Sequence, residues 1–177
     1  MSDLFNQVTD GQDPISKILQ KVPGFSGYME RQNRRASDKL LRGIVADQFE
    51  EQWQRISALQ RDLISGGGID FIDDLESAAI KIRQFVDRIR TATYGYSGMF
   101  DAAKVNQEEL EKLYNYDLVL LKMVDEIARA IDNVEASIGS DGLSAAIRNL
   151  TSLAQDCVVA FNQRSEVILG SAEDSSQ

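Results

Sequence analysis

Apolar residues recur along most of the chain at steps of three and four, the spacing that gathers them on one face of an α-helix. The clearest series is Leu110, Leu113, Asp117, Leu120, Val124, Ile127, Ile131, Val134 and Ile138. Its steps alternate three and four, a repeat of about 3.5 residues, as in the seam of a bundle or coiled coil. Gly139-Ser140-Asp141-Gly142 reads as a turn. A matching series follows, with Leu143, Ile147, Leu150, Ala154, Cys157, Phe161 and Ile168.

Upstream, Leu41, Val45, Phe49, Trp53, Ile56, Leu59 and Leu63 mark a helix from about 27 to 64, ended by Ser65-Gly66-Gly67-Gly68. Ile69, Ile72, Leu75, Ala79, Ile82, Val86 and Ile89 form the inner face of the next helix. Asp70 is its expected cap. Asp73 and Asp74 suit the positive end of its dipole, and Arg83, Arg88 and Arg90 in its last turns the negative end. Asp13-Pro14 opens a short helix, Ile15 to Lys21, which Val22-Pro23-Gly24 stops. No alternating strand pattern competes. The prediction is an all-α fold: an antiparallel four-helix bundle, or two αα-hairpins, with a short extra N-terminal helix. A lead-in (1–13), one helical domain (14–169) and a polar tail (170–177) complete the expected organisation.

The 177 residues are ordinary in composition, 43% hydrophobic and 27% charged, but contain no His and one Cys. A Ser-His-Asp triad, a Cys-His dyad and His-ligated zinc are thereby excluded within the chain. So are an internal disulfide and a Cys-x-x-Cys pair. Cys157 reads as a small core residue and fits a reducing compartment. Residues 1–13 lack a basic and apolar leader pattern, and no run approaches 18 apolar residues. The expected location is the cytoplasm.

Net charge is −9, but it is unevenly placed. Between Lys17 and Arg42 stand seven bases and two acids, a segment of +5 that leaves −14 for the remainder. Arg31, Arg34, Arg35, Lys39 and Arg42 have helical spacing, and 31, 35, 39 and 42 share a face. They read as a cationic stripe for phosphate, anionic lipid or an acidic protein, or as a solvated face or internal partner for the acidic body. Nucleic acid is disfavoured, because only Tyr28 flanks the stripe for stacking and the rest of the chain repels it.

Tyr94-Gly95-Tyr96-Ser97-Gly98-Met99-Phe100 interrupts the helical pattern, and Tyr114 and Tyr116 follow soon after. Tyr94, Tyr96 and Phe100, with Tyr28, are candidate partner contacts; an aromatic plug at one end of the bundle is the alternative. Asp117 occupies a seam slot. It is either a buried polar group needing a partner, with Tyr94 or an arginine of the second long helix as candidates, or it drifts to the edge while Leu118 or Leu121 packs. Glu108, Glu109, Glu111, Asp125, Glu126, Asp132 and Glu135 read as solvent-facing, so a carboxylate-dependent metal hydrolase is a remote alternative and no metal or cofactor is expected. Gly24-Phe25-Ser26-Gly27-Tyr28 echoes Gly95-Tyr96-Ser97-Gly98-Met99, each before a long helix. That match alone is too short to establish a duplication.

Lys21-Val22-Pro23-Gly24-Phe25-Ser26-Gly27-Tyr28 with Arg34-Arg35-Ala36, and Tyr94-Gly95-Tyr96-Ser97-Gly98-Met99-Phe100-Asp101 with Leu113-Tyr114 and Asp117-Leu118, carry a resemblance from about Ile15 to Ala136. The chain resembles a group of bacterial all-α proteins that accompany stomatin/flotillin-type membrane scaffold proteins and zinc-ribbon proteins. The resemblance implies a membrane-associated assembly role and brings no catalytic residue with it. The expected function is a non-enzymatic helical adaptor that binds a protein or membrane-associated scaffold through the basic segment and the aromatic junction. The alternative is a peripheral membrane protein at the inner face, with the short first helix and the stripe on anionic lipid. A homo-oligomer stays open.

Overall fold

A computed structural model describes residues 14–22, 34–66, 68–92 and 107–174, with side chains from 15 to 22, 39 to 66, 68 to 92 and 112 to 164. Among the described residues, apolar stripes at helical spacing produce five helices: α1 (Pro14–Lys21), α2 (Arg34–Ser65), α3 (Ile72–Thr91), α4 (Gln107–Ala136) and α5 (Leu143–Asp174). A 3₁₀ turn, Ile69–Phe71, precedes α3. Among the described residues there is no strand, and no helix is long and apolar enough to cross a membrane.

α2 and α3 form one αα-hairpin. Gln60 meets Glu76 near their turn, Arg83 meets Glu50 at mid-length, and Arg90 meets Asp47 further out. The turn is tight. A Cβ on Gly68 would lie 2.8 Å from Leu63 Cδ2, so a larger residue there would have to displace that leucine side chain. α4 and α5 form the second hairpin, reversed by the six residues 137–142, with Gly139 at φ +79°.

The two hairpins lie side by side. α3 meets α5 through Lys81 and Gln155 (Nζ to Oε1, 2.8 Å) and through Phe85 and Phe161 (ring centroids 5.9 Å). Both partners advance together, so α3 and α5 run in the same direction. Each hairpin is antiparallel within itself, so α2 and α4 also run in the same direction, joined by the Arg55–Asp132 ion pair. The outcome is the two-hairpin form of the expected all-α bundle. Neighbours across the hairpin boundary are parallel, which corrects the fully antiparallel arrangement. Both hairpin turns lie at one end, the foot. The start of α2, the end of α3 and the start of α4 lie at the other, the head.

The core runs the length of this stack. Phe85 sits at its centre, 4.5 Å from the Phe49 ring within its own hairpin and against Phe161 of the other. α3 therefore needs a wider apolar face than its predicted stripe, and Ala78 and Phe85 are buried beside it.

Three expectations change. Phe71, not Asp70, is the residue before α3, with no side-chain cap, because Asp70 lies within the 3₁₀ turn. Ile69 and Ile138 leave the core, 66% and 38% exposed, since the chain is already turning there. α5 continues through Gly170 to Asp174, where a tail was expected. The start expected near residue 27 lies outside the described residues; the helix is described from Arg34.

α1 packs on α4. Ile18 and Val22 are buried, Ile15 and Leu19 pack against the core, and Lys21 Nζ reaches Asp125 Oδ2 at 2.7 Å. The apolar face expected to contact lipid is covered by protein, which corrects that use of the short helix. An Ile18→Ala variant should lose about 2–5 kcal/mol of stability in chemical unfolding. An unchanged midpoint would mean that α1 is not part of the core.

Candidate functional site

The distinctive chemistry lies toward the head. A seam residue that is charged must find a partner or lose heavily on burial. Asp117 does so inside the bundle, only 2% exposed. Arg164 of α5, fully buried, donates from Nε to Asp117 Oδ1 at 2.7 Å and from its Nη2 to Oδ2 at 3.2 Å. Two parallel N–H donors on two carboxylate oxygens fix direction as well as charge. Asp117 is therefore the buried polar group that its seam position suggested, but its partner comes from the last helix, not the second long one. Leu118 and Leu121 are buried as well, so the carboxylate has not drifted to the edge.

Arg164 is the residue the sequence pattern conceals. The fourth apolar series steps 143, 147, 150, 154, 157 and 161, then jumps seven residues to 168. Position 164 is the missing seam slot. Counted outward from the turn, Val134 and Ile147 head the seam, and Asp117 and Arg164 occupy its sixth rung on each side. One charged slot on each strand, at matched distance from the turn, is the signal.

Arg42 corrects the cationic stripe. It is 4% exposed, and its Nη1 donates to the Ile89 carbonyl of α3 at 3.3 Å. Leu41, Val45 and Ala46 around it are core residues, so the stripe's last base turns inward. Lys39 is exposed. Arg34 and Arg35 begin α2, with side chains outside the described set. Tyr28, Arg31, Tyr94, Tyr96 and Phe100 lie outside the described residues. Of the tyrosines that follow, Tyr114 is buried and Tyr116 half-buried. Asn115 joins this layer as a buried amide whose Oδ1 has no hydrogen-bond partner among the described residues.

Acids of α4 serve as clasps. Asp125 holds Lys21 of α1, and Asp132 holds Arg55 of α2. Among the described residues, no group of His, Cys, Asp and Glu is placed to hold a metal ion. Cys157 is buried, and desolvation pushes its thiol well above the ordinary range, with Asp156 and Glu126 adding to the shift. No protein-family model, curated protein or solved structure matches the chain.

Two outcomes follow from this geometry. Asp117→Ala alone should cost about 3–5 kcal/mol in urea unfolding, because it strands the buried Arg164 charge, whereas Asp117→Leu with Arg164→Met should be near neutral or stabilising. Equal losses from the single and double variants would contradict the pairing. Cys157 should react with a thiol reagent only as fast as the protein opens, so rapid modification of the folded protein would contradict its burial.

Proposed function

We propose that the chain is a non-enzymatic helical adaptor that binds an acidic protein partner at the head of the stack, through the basic start of α2 and the adjoining aromatic segment. The observation that carries this reading is topological. Segment 23–33 leads into α2 at the head, and segment 93–106 joins α3 to α4 at the same end. The segments that carry the two sequence motifs, with Tyr28 and Arg31 in one and Tyr94, Tyr96 and Phe100 in the other, therefore join helix ends that lie at the same end of the stack. Lys39 is exposed near the start of α2, and the buried Asp117–Arg164 pair lies toward that same end. Aromatic and arginine side chains suit the centre of a protein interface. The resemblance to bacterial proteins that accompany membrane scaffolds supplies the setting, an assembly at the inner face of the membrane. With the apolar face of α1 packed on α4, direct lipid contact would rest on charge alone, and it becomes an outcome of the same test.

The test reverses charge and leaves the core alone. Deleting the first 42 residues would also remove the buried Ile18, Val22 and Leu41. Full-length chain and its Arg31→Glu/Arg34→Glu/Arg35→Glu variant should have the same melting temperature. Wild type should capture a protein from native lysate, cross-linked within residues 23–42 or 93–106, that the variant does not. An identical captured set, or cross-links placed at the foot, would overturn the reading. Binding to anionic vesicles that the variant loses, with no protein captured, would replace it with the lipid reading.

A further inference from the structure

The two hairpins keep the same register over a spacing of 71 residues. α2 ends at Ser65 and α4 at Ala136; α3 begins at Ile72 and α5 at Leu143. At this spacing a subset of the buried positions coincides. Phe49, Ile56 and Leu63 fall on Leu120, Ile127 and Val134, and Leu75, Val86 and Ile89 fall on Ala146, Cys157 and Ala160. The sequence keeps the spacing beyond the helices. Ile15-x-Lys17-Ile18-x₅-Gly24-Phe25-Ser26-Gly27 lines up with Val86-x-Arg88-Ile89-x₅-Gly95-Tyr96-Ser97-Gly98. The short glycine echo is thus one part of a match that runs through helix ends, core positions and connecting segments, which is the signature of a true repeat. The parallel packing of α2 with α4 and of α3 with α5 is the geometry in which repeated αα-hairpins stack.

The places where the two copies differ are equally ordered. Leu121, Ile131, Ile147, Ala154 and Phe161 are buried in the second hairpin, Phe161 against Phe85 of the first. Their counterparts in the first hairpin are Glu50, Gln60, Glu76, Arg83 and Arg90, none of them buried. These polar residues bind one another across the outer face of α2 and α3. Arg83 Nη1 meets Glu50 Oε1 at 3.0 Å, Arg90 Nη1 meets Glu50 Oε2 at 3.1 Å, and Gln60 bonds Glu76. Arg83 also lies 5.1 Å above the Trp53 ring. The face that is apolar where it receives a neighbouring hairpin carries, where no hairpin follows, these charged and amide groups around Trp53 and the exposed Ile80.

We infer that the chain is a tandem pair of one 71-residue αα-hairpin unit, and that the outer face of the first unit is a hairpin-stacking surface turned into a polar cap that stops a second copy of the chain from stacking onto it. Terminal repeats need such caps, because an uncapped stacking face would associate end to end. The pairing of Glu50 with both arginines, and of Gln60 with Glu76, gives these groups partners within the hairpin and keeps charge on the face, which disfavours apolar stacking there.

The experiment gives the first hairpin the residues of the second. The variant Glu50→Leu/Gln60→Ile/Glu76→Ile/Arg83→Ala is compared by sedimentation with wild type and with a control of matched chemistry on exposed positions elsewhere, Glu51→Leu/Gln54→Ile/Asp62→Ile/Arg88→Ala. Wild type and control should sediment at the 19.7 kDa of one chain, and the face variant at twice that mass or more, with unchanged helical circular dichroism. Should the four-site variant lose helicity, Gln60→Ile/Glu76→Ile carries the same comparison. A face variant that stays monomeric overturns the inference. So does a control that associates as strongly, or a wild type that already associates through this face.

Discussion

The contact between the two hairpins is the interaction on which the other features depend. A hairpin of two amphipathic helices buries its seam but leaves one broad apolar face uncovered, and helices of this kind gain most of their stability from such tertiary burial. Phe85 shows how that face is covered, lying between Phe49 of its own hairpin and Phe161 of the other. Because the hairpins meet with equivalent helices side by side, both turns fall at the foot. The head then receives every connection that carries an unusual sequence motif. The position of the candidate site is a consequence of how the apolar faces are covered.

The Asp117–Arg164 rung has a different role. Asp117 corresponds to the buried Ala46 in the first hairpin, so an αα-hairpin of this design closes without an ion pair at that level. A buried pair seldom improves stability over apolar residues of similar size, but it penalises any arrangement that separates its members. In a seam of Leu, Ile and Val, where a slip of one heptad would still bury apolar side chains, that penalty singles out one register. The charge of the chain also acquires a structure. Part of the +5 segment is used internally, with Lys21 on Asp125 and Arg42 in the core, while Lys39 is exposed near the start of α2.

Helix number, the two hairpin turns and most of the core were legible in the sequence, because periodicity records which face of a helix is covered. Asp117 was legible as a charged residue in an otherwise regular apolar series. Its partner was not, since Arg164 interrupts its own series and a lone interruption reads as the edge of a stripe. Arg42 was misplaced for the opposite reason. Neighbouring bases at helical spacing define a stripe, and only the packing of Leu41 and Val45 reveals that its last member rotates into the core. The same-direction pairing of the hairpins lay beyond single-helix periodicity, which fixes the width of a face but not the direction of the helix laid against it. The duplication was hidden likewise, because several of the equivalent positions had exchanged apolar for polar residues.

The direction of that pairing can be measured in solution. Spin labels on a Cys157→Ala background would be placed at the exposed positions Asp73 and Asp87 of α3, and at Arg148 and Asn162 of α5. Stacking of equivalent helices in the same direction makes 73–148 and 87–162 the short distances. The crossed pairs, 73–162 and 87–148, should then be separated by on the order of 20 Å more along the helix axis. Short crossed distances and long direct ones would mean that the hairpins pack head to foot, and would remove the basis for both the head-end site and the repeat.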